Sequence, residues 1–156
     1  MTSTDAKITL DIIILTYNRS ELFAESLRSV CNQTCDNFTI KVFNNGSTDN
    51  TEEVYLKIKA EYPHRTFEYL KLEKNHQDQY FIDKLKGFIL ADYCIIFHDD
   101  DLMHPKYVEN LMRVIKEHPE VVILGGKTSI SYHPENLKWC EPKMDYIIGN
   151  TCDMVK

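Results

Sequence analysis

At 156 residues the chain has the length of one domain and is long enough to bury a sizeable core. Hydrophobic residues make up 43% and charged residues 27%, the balance of an ordinary globular protein. With 24 acidic against 18 basic side chains, the net charge of -6 argues against non-specific nucleic-acid binding, though not against a nucleotide held through a metal ion.

The first seven residues lack a basic signal region, and the apolar run behind them, broken by Asp11, is too short to span a bilayer. That run, residues 8–15, is β-branched and nearly continuous, as expected of a strand buried on both faces of a parallel sheet. A helix follows, with Ser20 as its expected cap and Leu22, Phe23, Leu27, Val30 and Cys31 on one side. Residues 38–43 form the second strand, ended by the turn-rich Asn44-Asn45-Gly46-Ser47-Thr48-Asp49. The next helix carries Val54, Tyr55, Ile58 and Tyr62 on its apolar side and stops at Pro63. Residues 67–72 make a weaker third strand, interrupted by charges and so placed nearer an edge. Residues 79–90 are a third helix, with Phe81, Ile82, Leu85, Phe88 and Ile89 toward the sheet.

The fourth strand is 93–97, and the helix after it keeps Val108, Leu111, Met112 and Ile115 in helical register. Residues 121–124 read as a fifth strand, running into Gly125-Gly126. Beyond it, residues 127–156 show no sustained period and are expected to be irregular or short-stranded. Five cysteines, Cys31, Cys35, Cys94, Cys140 and Cys152, have no zinc-type spacing, and their odd number speaks against a disulfide framework. A reducing cytoplasm is the expected setting. Alternating strands and helices predict an α/β fold, a mainly parallel twisted sheet with helices on both faces.

In such a sheet the C-terminal ends of strands one, two and four share one edge, where ligands bind. Those ends carry Thr16-Tyr17-Asn18-Arg19, the Asn44 to Asp49 turn, and His98-Asp99-Asp100-Asp101. One Asp is explained by turn chemistry. Three in a row repel one another unless a cation is present, which points to a divalent-metal site, Mg2+ or Mn2+, holding a diphosphate. Tyr17 offers a flat face suited to a nucleobase, with a core tyrosine as the plainer reading. Gly46 follows Asn in what is a turn signal whatever the function, and Ser47-Thr48-Asp49 serves equally well as a helix cap. His98 reads more simply as a strand-end residue than as a metal ligand.

The segments Ile12-Ile13-Ile14-Leu15-Thr16-Tyr17-Asn18-Arg19, Ser29-Val30-Cys31-Asn32-Gln33-Thr34 and Asn45-Gly46-Ser47-Thr48-Asp49-Asn50-Thr51 resemble the opening of a family 2 glycosyltransferase with the GT-A fold. The aspartates before Leu102 and Pro105 fall at that family's Asp-x-Asp signature, and the resemblance runs in register over about residues 8 to 126. It implies a GT-A, Rossmann-like core for nucleotide-sugar binding over 1–126 and, over 127–156, the start of an incomplete acceptor region. It further implies sugar transfer from a nucleotide diphosphate sugar to a saccharide or lipid-linked acceptor, with inversion and with Mn2+ or Mg2+ bridging the diphosphate. Thr16, Tyr17, Asn18, Arg19, Asn45, Asp49 and Asp99 are then the nucleotide-binding candidates, and Asp100 and Asp101 the metal candidates. Asp99-x-Asp101 is the competing register. A cytoplasmic location, or one at the inner face of a membrane, goes with such acceptors.

The chain departs from the family pattern in three places. Asn44-Asn45 stands where an Asp pair is usual, which changes the hydrogen bonds offered to a base. Phe81-Ile82-Asp83-Lys84 stands where an Arg usually faces the nucleotide, with Lys84 or Lys86 as substitute point charges. The general base of inverting members lies beyond the fifth strand, and none of Glu135, Glu141, Asp145 or Asp153 sits in a matching context, so no catalytic residue is assigned. The expectation is the nucleotide-binding part of a longer protein, or a shortened chain. Two other readings remain: a nucleotidyltransferase, which usually has a Gly-rich first loop, and a non-catalytic nucleotide-sugar-binding domain.

Overall fold

The computed structural model describes residues 8–126 and 144–148, so the expected irregular extension lies outside the described residues apart from one short strand. The elements run β1 (Leu10–Thr16), α1 (Ser20–Cys31), β2 (Thr39–Asn44), α2 (Thr51–Glu61), β3 (Phe67–Lys71), α3 (Gln79–Phe88), β4 (Tyr93–His98), α4 (Tyr107–Glu117), β5 (Val121–Gly126) and β6 (Met144–Ile148). They group into two units, one of residues 1–32 and 36–103, the other of 33–35 and 104–156.

In the first unit four strands form one parallel sheet in the order β3-β2-β1-β4. β1 lies between β2 and β4 and is buried, as its nearly continuous apolar run predicts: Leu10, Ile12, Ile13 and Ile14 are all buried. Each strand sends alternate residues to opposite faces. On one face Ile13, Phe43 and Leu72 form a buried cluster, and Leu15, Leu70, then Phe81, Leu85 and Phe88 of α3 and Ile89 just after it, pack against that cluster. Phe43 meets Phe81 edge to face with ring centroids 5.1 Å apart. On the other face Tyr55 of α2 stacks on Tyr69 of β3 at 4.4 Å, and α1 lies beside α2 with Phe23, Leu27 and Val30 fully buried.

Two apolar positions depart from expectation. Leu22 and Ile82, placed by helical spacing on the inner sides of α1 and α3, are 45% and 40% exposed, each lying at the margin of its stripe. β4 is half covered: Tyr93, Ile95 and Phe97 are partly buried, while Cys94, Ile96 and His98 are exposed. Ser20 is the first residue of α1 rather than its cap; Arg19 holds the cap position without a side-chain cap bond.

Asp11, which breaks the first apolar run, is buried beside a buried lysine. Lys41 Nζ lies 3.1 Å from Asp11 and 3.1 Å from Glu68, and donates to the carbonyl of Phe88 at 2.8 Å. The same Asp11 carboxylate accepts the backbone N–H groups of Leu90 and Ala91. This cluster fastens the end of α3 and its exit loop to β1, β2 and β3, and so sets where β4 begins.

In the second unit Gln33 and Thr34 organise the start of α4. Gln33 donates to the carbonyl of His104 and accepts from the N–H of Val108, while Thr34 bonds Glu109. Val108, Leu111, Met112 and Ile115 are buried as their register predicts. β5 does not extend the parallel sheet. It pairs antiparallel with β6, Gly126 opposite Met144 and Leu124 opposite Tyr146.

Candidate functional site

Because β1 lies between β2 and β4, chain order reverses there, and the crevice of an open α/β sheet is expected at the C-terminal ends of β1 and β4. The loop leaving β1 is held from the β2 side. Asn18 adopts φ +52°, a left-handed conformation that asparagine tolerates better than most residues. Its N–H donates to Ser47 Oγ at 3.0 Å, and its Oδ1 accepts the N–H of Thr48 at 2.7 Å. Ser47 in turn donates its N–H to Asn44 Oδ1, and Asn44 Nδ2 donates to the Tyr69 hydroxyl. This chain of bonds, from β3 through β2 to β1, is a mutually polarising network that fixes the loops without a ligand.

Asp49 serves two helices at once. One oxygen accepts the N–H of Ser20 at 3.2 Å, at the start of α1; the other accepts the N–H and hydroxyl of Thr51, at the start of α2. Burial works to raise its pKa, yet the bonds from Thr51 and Ser20 together hold it below the ordinary value. Capping therefore occupies both oxygens.

Asn45 points to the segment after β3. Nδ2 donates to Asn75 Oδ1 and to the carbonyl of His76, both at 2.8 Å, and Oδ1 accepts the His76 N–H at 3.0 Å. Gly46 makes this approach possible. Its φ is +78°, and a Cβ there would lie 2.6 Å from Lys74 Cα and 2.7 Å from Asn75 N. The sequence marks Asn44 as part of the second loop but not the 74–76 segment, for which the Asn-Gly pair is the one signal. Of the substitute cations, Lys84 Nζ lies 5.2 Å above the Tyr80 ring, which itself lies 4.5 Å from His76.

The aspartate loop is clamped at both ends by α1. Ser26 Oγ donates to the carbonyl of His98, and Ser29 Oγ accepts the N–H of Met103. Between these anchors Asp99 is buried, whereas Asp100 and Asp101 are exposed. A single nitrogen, Arg19 Nη1, lies 3.4 Å from Asp99 Oδ1 and 3.1 Å from Asp100 Oδ2. The structure thus joins Arg19, Asp99 and Asp100, and it ties Asn18 to Asp49; the Asp101 carboxylate takes no part in the bridge. Thr16 is buried, and its Oγ1 has no hydrogen-bond partner among the described residues. Tyr17 is 39% exposed. His98 ends β4 with its side chain exposed.

Among the described residues no three His, Cys, Asp or Glu side chains form a metal ligand set. Mg2+ is commonly bound through only one or two carboxylates, with substrate phosphates and water completing the shell, and Mn2+ shares its taste for oxygen. Two carboxylates that already converge on one cationic nitrogen fit that pattern. Elsewhere, burial pushes the Cys31 thiol up to about 12, so it is not a nucleophile near neutral pH. No helix among the described residues is long and apolar enough to cross a membrane.

Comparison with known proteins gives the family and the fold. Residues 11–153 match the model of the family described as Glycosyl transferase family 2. A protein of Haemophilus influenzae named as a glycosyltransferase is 26% identical over 133 residues, covering 81% of this chain; the chain spans 38% of that relative's length. The mannosyltransferase PcManGT from Pyrobaculum calidifontis, solved in complex with GDP-Man and Mn2+, superimposes with a TM-score of 0.66 at 17% identity, over 75% of this chain and 34% of that one. S. aureus TarS 1-349 in complex with UDP-GlcNAc gives 0.62 at 22% identity, over 72% and 32%. The shared architecture is the GT-A fold of glycosyltransferases.

Proposed function

Because the chain belongs to glycosyl transferase family 2, we propose that it holds the nucleotide diphosphate sugar donor of a glycosyltransferase at the C-terminal edge of its parallel sheet. The observation that carries this reading is the convergence of Asp99 and Asp100 on one cationic nitrogen beside the β1 loop. PcManGT was solved with GDP-Man and Mn2+, which supports Mn2+ or Mg2+ as the cofactor here. Such an ion supplies charge neutralisation to the leaving diphosphate when bound.

The residues divide the work by position. Asp99 and Asp100 would hold the cation, and Asp101 would support them from the exposed side. Tyr17 offers its ring to the base, and Thr16 precedes it as the last residue of β1. Asn18 and Asp49 keep the two loops in place. Asn45 positions the 74–76 segment, which then presents its backbone to the base. In the transfer the bond between the anomeric carbon and the diphosphate oxygen breaks, and a bond from an acceptor hydroxyl oxygen forms with inversion. The acceptor is a saccharide or a lipid-linked sugar, and its proton passes to a base that we do not assign.

A panel of nucleoside diphosphates, with and without Mn2+, tests the reading by thermal shift. Stabilisation that requires Mn2+, ranks the bases, and disappears in Asp100→Ala is expected. Binding that ignores both the metal and the substitution would overturn it.

A further inference from the structure

Arg19 is placed to do more than neutralise two carboxylates. We propose that its guanidinium is a displaceable internal cation: a divalent ion entering on Asp99 and Asp100 expels it, and the freed guanidinium then binds the donor diphosphate. The inference rests on the donor-site reading given above.

Three observations support it. First, the contact point is shared. One Nη1 reaches both carboxylates, at 3.4 and 3.1 Å, so a metal ion taking those oxygens and the guanidinium compete for one place. Second, the bridge is weakly held. The Arg19 side chain is 53% exposed, and it meets each carboxylate through a single nitrogen rather than a two-pronged fork. Third, the main chain beneath it is fixed. Asn18 is pinned by Ser47 and Thr48, the Arg19 carbonyl accepts the N–H of Phe23, and the N–H of Ser20 is capped by Asp49. The side chain can therefore swing about an anchored Cα without disturbing α1.

Electrostatics give the swing a direction. Asp99 is buried, and a buried carboxylate needs a cation or donors close by. Arg19 meets that need, and a doubly charged ion meets it better while repelling the guanidinium. An anionic diphosphate bound at the same ion offers the displaced arginine a new partner of a geometry that guanidinium matches well. Metal and nucleotide binding are thereby coupled through one side chain.

The coupling has a signature that loss of a merely structural residue lacks: removing Arg19 should move the two affinities in opposite directions. Mn2+ binding to the intact chain is read by electron paramagnetic resonance of the free ion, for the wild type, Arg19→Gln and Asp100→Asn. Nucleoside diphosphate binding is then measured at saturating Mn2+. Arg19→Gln is expected to bind Mn2+ alone about fivefold tighter, the factor set by losing a half-exposed ion pair. At saturating Mn2+ it should bind UDP or GDP about tenfold more weakly, having lost a charge-assisted hydrogen bond. Asp100→Asn should weaken both. Unfolding midpoints confirm that the variants are folded. If Mn2+ binding depends on Asp100 but Arg19→Gln leaves either affinity unchanged, or shifts both the same way, the displacement is wrong and the donor site stands. If no form binds Mn2+ with or without nucleotide, the donor-site reading fails and the displacement with it.

Discussion

Gly46 is the residue on which the second loop turns. Its positive φ, with Lys74 and Asn75 packed where a side chain would be, means that Gly46→Ala must strain the backbone and push the 74–76 segment away from Asn45. A left-handed alanine costs about 1–2 kcal/mol and overpacking a further 1–3, so a loss of roughly 2–5 kcal/mol is expected in urea unfolding. An unchanged midpoint would show that the segment moves freely. Asp49 gives a prediction in pH. Its folded-state pKa lies below the ordinary carboxyl value of 3.8, so its stabilising effect is complete above that value and is lost as pH falls through the folded pKa. Asp49→Ala should cost about 1 kcal/mol at neutral pH, as loss of a helix cap does. The gap from wild type should close in acid below 3.8; a gap independent of pH would mean that the carboxylate charge does not matter. The capping role of Asp49 was legible in sequence as one of two readings. Its bond to Ser20, 29 positions away, was not, because no local pattern records which distant N–H a turn residue will meet.

At the scale of elements, the strands and helices were legible because each carries its own period. β1 shows a nearly continuous apolar run and α4 a clean stripe, and both are buried as those patterns require. What the patterns miss is pairing. β5 reads like any buried strand, yet it joins β6 in an antiparallel pair, a choice made by residues beyond it in the chain. Asp11 likewise reads as a flaw in β1, and its meaning appears only when Lys41 is brought alongside. Breaking a buried ion pair by removing one partner leaves a charge uncompensated, so Lys41→Met should destabilise by about 3–5 kcal/mol. Adding Asp11→Asn should recover part of the loss, since the amide oxygen can still accept from Leu90 and Ala91. A Lys41→Met protein as stable as wild type would show that the cluster is not needed to fasten α3. Measured by urea unfolding, the double-mutant cycle isolates the pair itself.

For the whole molecule the central fact is charge. A chain with a net charge of -6 is proposed to bind a diphosphate, an anion, and it offers at that site mainly carboxylates. Such a match is unfavourable unless a cation stands between the two, which is why metal dependence is the core of the account. The crevice was legible in sequence because alternating strands and helices must bring the ends of β1, β2 and β4 to one edge. The bridge from Arg19 to Asp99 and Asp100 was not, since its partners lie 80 and 81 residues apart. Calorimetric titration of a UDP- or GDP-linked sugar into the chain, with and without Mn2+ and with Asp99→Asn and Asp100→Asn beside the wild type, tests the claim directly. Binding by the wild type only with Mn2+ is expected, with loss of at least tenfold in affinity, about 1.4 kcal/mol, in each variant. Equal binding in the absence of Mn2+, or in both variants, would contradict it.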